Sequence, residues 1–196
     1  MSEAGASARS QRTDARRNRA RVLAGAREAF AESGLTAQME DVAARAGVGI
    51  GTVYRHFPTK DAMIEAIAAE HVDALATDAG EALEEDDPWE GLAGFMRLAA
   101  ARQATDRALA EVMASRPDAL REEALRREDL YSAIGRLAER AQRAGAMRAD
   151  LRPDDIPMIM CGLASAVQMA GPDGDEARER YLALLFDGLR AAPASR

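Results

Sequence analysis

Cysteine and histidine are almost missing: the chain has one thiol, Cys161, and two imidazoles, His56 and His71. One cysteine excludes an internal disulfide and any thiolate zinc cluster, and two histidines leave no basis for a multi-histidine metal site. Aromatic residues are 4% of the 196. Alternating β-branched or aromatic runs are absent, so strands are not expected. No apolar run approaches the roughly 18–20 residues of a membrane span. The basic N-terminal stretch MSEAGASARSQRTDARRNR lacks the apolar segment that a secretory signal needs after it. The expected place is the cytoplasm. Nucleophile elbows, Gly-rich phosphate loops and paired histidine ligands are missing too, so no catalytic residue, cofactor or metal is expected.

What is present is a globular composition, 47% hydrophobic and 30% charged, long enough for one large or two smaller domains. The net charge of −7 taken whole argues against a polyanionic partner, but its distribution argues for one. Residues 1–60 carry 10 basic and 6 acidic residues, or +4, whereas residues 61–196 carry 16 against 27, or −11. A basic head on an acidic body is expected of a chain with one polyanion-facing end. Of the 26 basic residues only Lys60 is lysine.

Helical periodicity runs through the chain, and the expected class is all-α with nine or ten helices. Residues 1–13 are expected as a disordered basic arm, residues 14–60 as a three-helix head, and residues 61–196 as a helical body. The first helix is expected over Asp14 to Ser33, with Val22, Ala26, Ala29 and Phe30 on one face and Gly34 as its stop. Short helices follow over Met39–Ala46 and Ile50–His56, then a long one from Pro58 or Thr59 toward Leu83. Pro88 opens another. A short helix is expected around Leu109–Ser115, a long one over Asp118–Ala144 stopped by Gly145, and two more over Ile156–Ala170 and Asp175–Ala191. The head–body division falls within the fourth helix, which is expected to join the two parts rigidly.

Residues 39–57, MEDVAARAGVGIGTVYRHF, have helix-turn-helix spacing. Ala43 is small where two steeply crossing helices meet, Gly47 tolerates positive φ in the short turn, and Val48 and Val53 plug the space beneath. Gly51, Thr52, Arg55 and His56 then lie on the outward side of the third helix, and a helix fits the major groove, about 12 Å wide. Tyr54 is amphipathic and can reach a phosphate. Lys60 stands where a cation and free helix N–H groups can hold another.

The stretch GVGIGTVYRHFPTKDAM resembles the recognition segment of TetR-family transcriptional regulators, which end a helix-turn-helix in Gly-Thr-aliphatic-Tyr-x-His-Phe before x-x-Lys-Asp/Glu-x-Leu. The motif match covers about the first third of the chain. By this resemblance Gly51, Thr52, Tyr54, Arg55, His56 and Lys60 are the DNA-binding residues. Tyr54 and His56 address phosphate, Thr52 and Arg55 base edges. Arg12, Arg16 and Arg17 of the arm are candidates for phosphates or the minor groove. Two positions depart from the pattern. Gly49 stands where a hydroxyl is common, and Gln38, a further candidate for DNA contact, stands where a small polar residue usually caps the second helix.

One helix-turn-helix neutralises few phosphates, so a homodimer with two heads about 34–36 Å apart is expected on double-stranded operator DNA. Two apolar bands lie on the last helices, the second wider than one packed face requires. Ile156, Met160, Leu163 and Val167 lie in one, and Tyr181, Leu185, Phe186 and Leu189 in the other. The resemblance implies a four-helix contact there and a small-molecule effector pocket in the body. Trp89, Phe95, Met96, Met113, Tyr131, Met158 and Gln168 are its candidates, although residues at such spacing are commonly core. The function expected is a ligand-responsive repressor that binds a palindromic operator as a dimer and is released by its effector. The alternatives are an activator or effector-independent repressor of the same fold, or an α-helical interaction protein without DNA.

Overall fold

The computed structural model describes residues 3–106, 108–109, 123 and 128–191, with side chains from residue 13 onward apart from 105 and 172. Among them are eight α-helices: α1 (Glu3–Ser33), α2 (Met39–Ala46), α3 (Ile50–His56), α4 (Lys60–Ala82), α5 (Pro88–Thr105), α6 (Glu128–Arg143), α7 (Asp155–Met169) and α8 (Gly174–Leu189). Single 3-10 turns precede α2 at Gly34–Thr36 and α8 at Gly171–Asp173. The one β pairing among the described residues is an isolated bridge between Met147 and Arg190. The chain is all-α. Two expected elements, the short helix near Leu109–Ser115 and the first part of the helix from Asp118, lie largely outside the described residues. The effector candidate Met113 lies outside them too.

The start of α1 corrects the sequence reading, because residues 3–13 are helical rather than a disordered arm. Their Ala, Arg, Gln and Ser contain no proline. Extending an existing helix adds a hydrogen bond for each residue fixed, whereas starting one does not. Elsewhere the ends fall close to expectation. Thr59 Oγ1 accepts the Ala62 N–H at 3.1 Å, so α4 starts at Lys60. Asp87 Oδ1 accepts the N–H groups of Trp89 and Glu90, and Pro88 takes the first-turn position where its missing N–H costs nothing.

The chain divides into two compact units, and the division falls between Ala69 and Glu70 inside α4 rather than at residue 60. In the first unit Val22, Ala26, Ala29 and Phe30 of α1 are fully buried. They pack with Val42 and Ala46 of α2, Val53 of α3, Phe57, and Met63, Ile64 and Ile67 of α4. Ala108 and Leu109 belong to this core. In the second unit α5 lies against α6, α7 and α8. Trp89 of α5 meets Phe186 of α8 edge to face, with ring centroids 5.9 Å apart. The guanidinium of Arg102 grips the buried carboxylate of Asp78 through two bonds of 2.5 and 2.8 Å, joining α5 to the C-terminal part of α4.

The tightest backbone approach in the head involves Gly25 of α1. A Cβ there would stand 2.8 Å from the Ala46 nitrogen and 2.9 Å from the Val42 carbonyl oxygen, both backbone atoms of α2. Neither can swing aside as a side-chain tip does. Gly25→Ala should therefore separate α1 from α2 and lower stability by on the order of 1–3 kcal/mol, read as a lowered denaturation midpoint. An unchanged midpoint would show that the two helices do not depend on this approach.

Candidate nucleic-acid interface

The interface begins with how α2 and α3 are started and stopped. The Gln38 N–H donates to Asp41 Oδ2 at 2.8 Å. The Gln38 side chain turns back and donates through Nε2 to the Thr36 carbonyl, also at 2.8 Å. Gln38 is thus engaged with its own turn. At the other end Gly47 has φ +61°, the left-handed conformation that glycine adopts without strain. Its N–H donates to Ala44 and that of Val48 to Ala43, closing the last turn of α2.

Only Gly49 separates Val48 from α3, a helix of seven residues. Val53 and Phe57 are buried and anchor its inner side. Gly51, Tyr54 and Arg55, at i, i+3 and i+4, share the outer side and are all exposed, Tyr54 by 46%. Thr52 and His56 are half-buried at the edges of that side. A Cβ at Gly49 or Gly51 would meet nothing within 4 Å. The structure thus brings Gly51, Thr52, Tyr54, Arg55 and His56 together on one short helix, with space in front of it.

The remaining candidates for DNA contact are placed differently. Lys60 opens α4, but its Nζ donates to the Leu35 carbonyl at 2.8 Å and ties α4 to the α1–α2 turn. Arg16 and Arg17 are exposed on α1, while the Arg12 side chain lies outside the described residues. Both exposed arginines stand on the helical surface of α1. Sequence reasoning gave no contact to Arg19, whose guanidinium lies 5.0 Å from the centroid of the Phe57 ring, just past α3. It also passed over Gly25. A usable signal existed, since a glycine inside an alanine-rich helix costs about 1 kcal/mol against alanine and calls for a packing reason.

In the second unit the expected effector residues differ in exposure. Trp89, Phe95 and Met96 are buried, Tyr131 is half-buried, and Met158 and Gln168 are exposed on α7. A cleft of about 390 Å³ lies between the end of α4 and α5, and of the expected set only Phe95 lines it. Besides Asp78, which Arg102 neutralises, it is lined by Glu81, Glu84, Glu85 and Glu90, a charge that repels anions. The expected interface bands are likewise divided. Ile156, Leu163, Phe186 and Leu189 are buried within the chain, while Met160, Val167, Tyr181 and Leu185 are half-buried. The large apolar side chains exposed on α7 and α8 are Met158, Met169 and Leu184.

A short exposed helix on a closed three-helix support, reached through a glycine turn, defines a helix-turn-helix DNA-binding protein. Comparison with known proteins narrows the class. Residues 22–67 match the bacterial regulatory proteins of the tetR family. Residues 87–191 match the C-terminal domain of SbtR-like transcriptional regulators. The HTH-type transcriptional repressor Rv1474c of Mycobacterium tuberculosis is 32% identical over 184 residues, covering 90% of this chain and 82% of that protein. A TetR transcription regulatory protein from Mycobacterium vanbaalenii is 37% identical with a TM-score of 0.64, covering 92% of this chain and 99% of that one. The regulator SCO0520 from Streptomyces coelicolor is 34% identical with a TM-score of 0.64, covering 89% of this chain and 99% of its own. The chain belongs to the TetR family of DNA-binding transcriptional regulators.

An exposed glycine within α3 weakens the helix, and nothing inside the protein requires it. Gly51→Ala should raise stability by up to about 1 kcal/mol while reducing affinity for operator DNA. Thermal denaturation and a DNA titration on the same variant check the pair. Unreduced affinity would remove Gly51 from the reading surface.

Proposed function

We propose that the protein is a ligand-responsive repressor that acts in the cytoplasm, binds a palindromic operator as a homodimer and is released by a small-molecule effector. The observation that carries the DNA-binding half is the outward side of α3, with Gly51, Tyr54 and Arg55 exposed above a buried Val53. Arg55 is the residue suited to a guanine edge, Thr52 to a neighbouring base, and Tyr54 and His56 to phosphates. Repression is supported by the relative from Mycobacterium tuberculosis, which is a transcriptional repressor.

Dimerisation follows from the small footprint of one head. The pairing face we assign is the outer side of α7 and α8, where Met158 and Leu184 are exposed and Met160, Val167, Tyr181 and Leu185 are half-covered. An effector that binds better to one spacing of the two heads shifts the population toward that spacing. The element that carries the shift is α4, whose residues belong to both compact units.

The test is titration of the purified protein onto the intergenic DNA beside its own gene across a salt series. Wild type should bind far more tightly than to a scrambled duplex, with affinity falling steeply as salt rises. Arg55→Ala should lose about 1–3 kcal/mol of that preference, whereas Tyr54→Ala should weaken binding to both duplexes, each with unchanged helicity. Binding equal to that on scrambled DNA, recovered by no duplex drawn from a random-sequence pool, would contradict the reading. A second check is Leu184→Glu, an exposed site whose change leaves the core intact. It should shift sedimentation toward monomer and weaken operator binding, and an unaltered dimer would place the interface elsewhere.

A further inference from the structure

Arg21 is one of the arginines that make the head basic, and by charge alone it counts as a phosphate ligand. Its geometry indicates another use. The last carbonyls of a helix lack partners within the helix. At the end of α2, those of Ala43 and Ala44 are met by the N–H groups of Val48 and Gly47. The carbonyls of Ala46 and Gly47 are both met by one atom, Nη2 of Arg21, at 2.9 and 3.0 Å. The cation thereby sits at the negative end of α2. The fit is close on the other side as well. A Cβ on Gly47 would stand 3.0 Å from that same Nη2, so Gly47 serves both the left-handed turn and the room the guanidinium needs. One helical turn along α1, Gly25 sits against the backbone of Val42 and Ala46. Arg21 and Gly25 thus form one seam on α1, holding the end of α2 three residues before α3 begins.

We propose that Arg21 is a positioning residue of the DNA-reading head. It is a latch from α1 onto the α2–α3 turn that sets how α3 is presented, and it is not one of the phosphate-binding arginines. A phosphate ligand and a latch differ in two measurable ways. Losing a phosphate contact weakens binding to every sequence alike and lowers the salt slope, d log K/d log [salt], by about 0.9 in magnitude. Losing a latch leaves the slope intact and weakens the specific complex selectively.

The test uses the full-length protein, a duplex selected by wild type from a random-sequence pool, and a scrambled duplex of equal length. Arg21→Gln should reduce affinity for the selected duplex about tenfold or more, leave the scrambled duplex unaffected, and keep the wild-type salt slope. Without DNA present, amide exchange at Gly47 and Val48 should quicken in the variant while exchange in α6 to α8 stays the same. If Arg21→Gln loses the helices of the head, amide exchange at Gly47 and Val48 and the ratio of the two affinities are read on Arg21→Lys instead, whose shorter side chain falls short of the position from which Nη2 meets both carbonyls. Equal loss on both duplexes with a reduced slope would make Arg21 a phosphate ligand and overturn the proposal. Unchanged exchange at the turn would overturn it independently of any DNA.

Discussion

The reading helix depends on the approach of α1 to α2 at Gly25. Two helices separated by one missing Cβ have little freedom to slide or tilt, because the atoms in contact are backbone nitrogen and carbonyl oxygen. That contact fixes the end of α2. The end of α2 fixes Gly47, whose left-handed conformation turns the chain, and the turn delivers α3. A seven-residue helix lacks the length to hold itself together in water. Its conformation is therefore borrowed from the core beneath it through Val53 and Phe57. The outer residues can then be chosen for what they contact, since they do not hold the fold.

Charge is divided along the same line. Several cations of the head are engaged with the protein itself: Arg21 with the end of α2, Lys60 with the Leu35 carbonyl, Arg19 with the Phe57 ring, and Arg45 with Glu32. Arg16, Arg17 and Arg55 face outward. A count of basic residues therefore overstates the charge offered to DNA, although the surplus still steers a polyanion to this end of the chain. The acidic remainder of the sequence opposes binding elsewhere and directs the encounter toward the head.

The parts of the fold legible in the sequence are those governed by local chemistry. Gly34, Gly47 and Gly145, expected to stop or turn helices, are three of the four positive-φ glycines among the described residues. The bounds of α2 and α3 follow from Gly, from the alanine-rich face and from the Gly-Thr-Val-Tyr run. Non-local features were not legible. Gly25 reads as a mild defect in a helix until the backbone of α2 is seen beside it. The apolar bands of α7 and α8 show which residues avoid water, but not which neighbour covers them. Hence Phe186 and Leu189 are core, covered from within the chain, while Leu184 faces out. The expected effector residues are uneven in exposure for the same reason. Methionine and aromatic residues mark burial, and burial alone does not separate a core from a pocket.

The central claim is that α3 is the element that enters the major groove, once per subunit. A chelated iron attached at position 58, exposed just past α3, using Pro58→Cys with Cys161→Ser to remove the other thiol, cleaves DNA wherever that end of α3 rests. On a duplex selected by the wild-type protein the account predicts two symmetric clusters of cuts, one helical turn or a multiple of it apart. Cuts spread evenly along the duplex, or confined to one cluster without a symmetric mate, would contradict it.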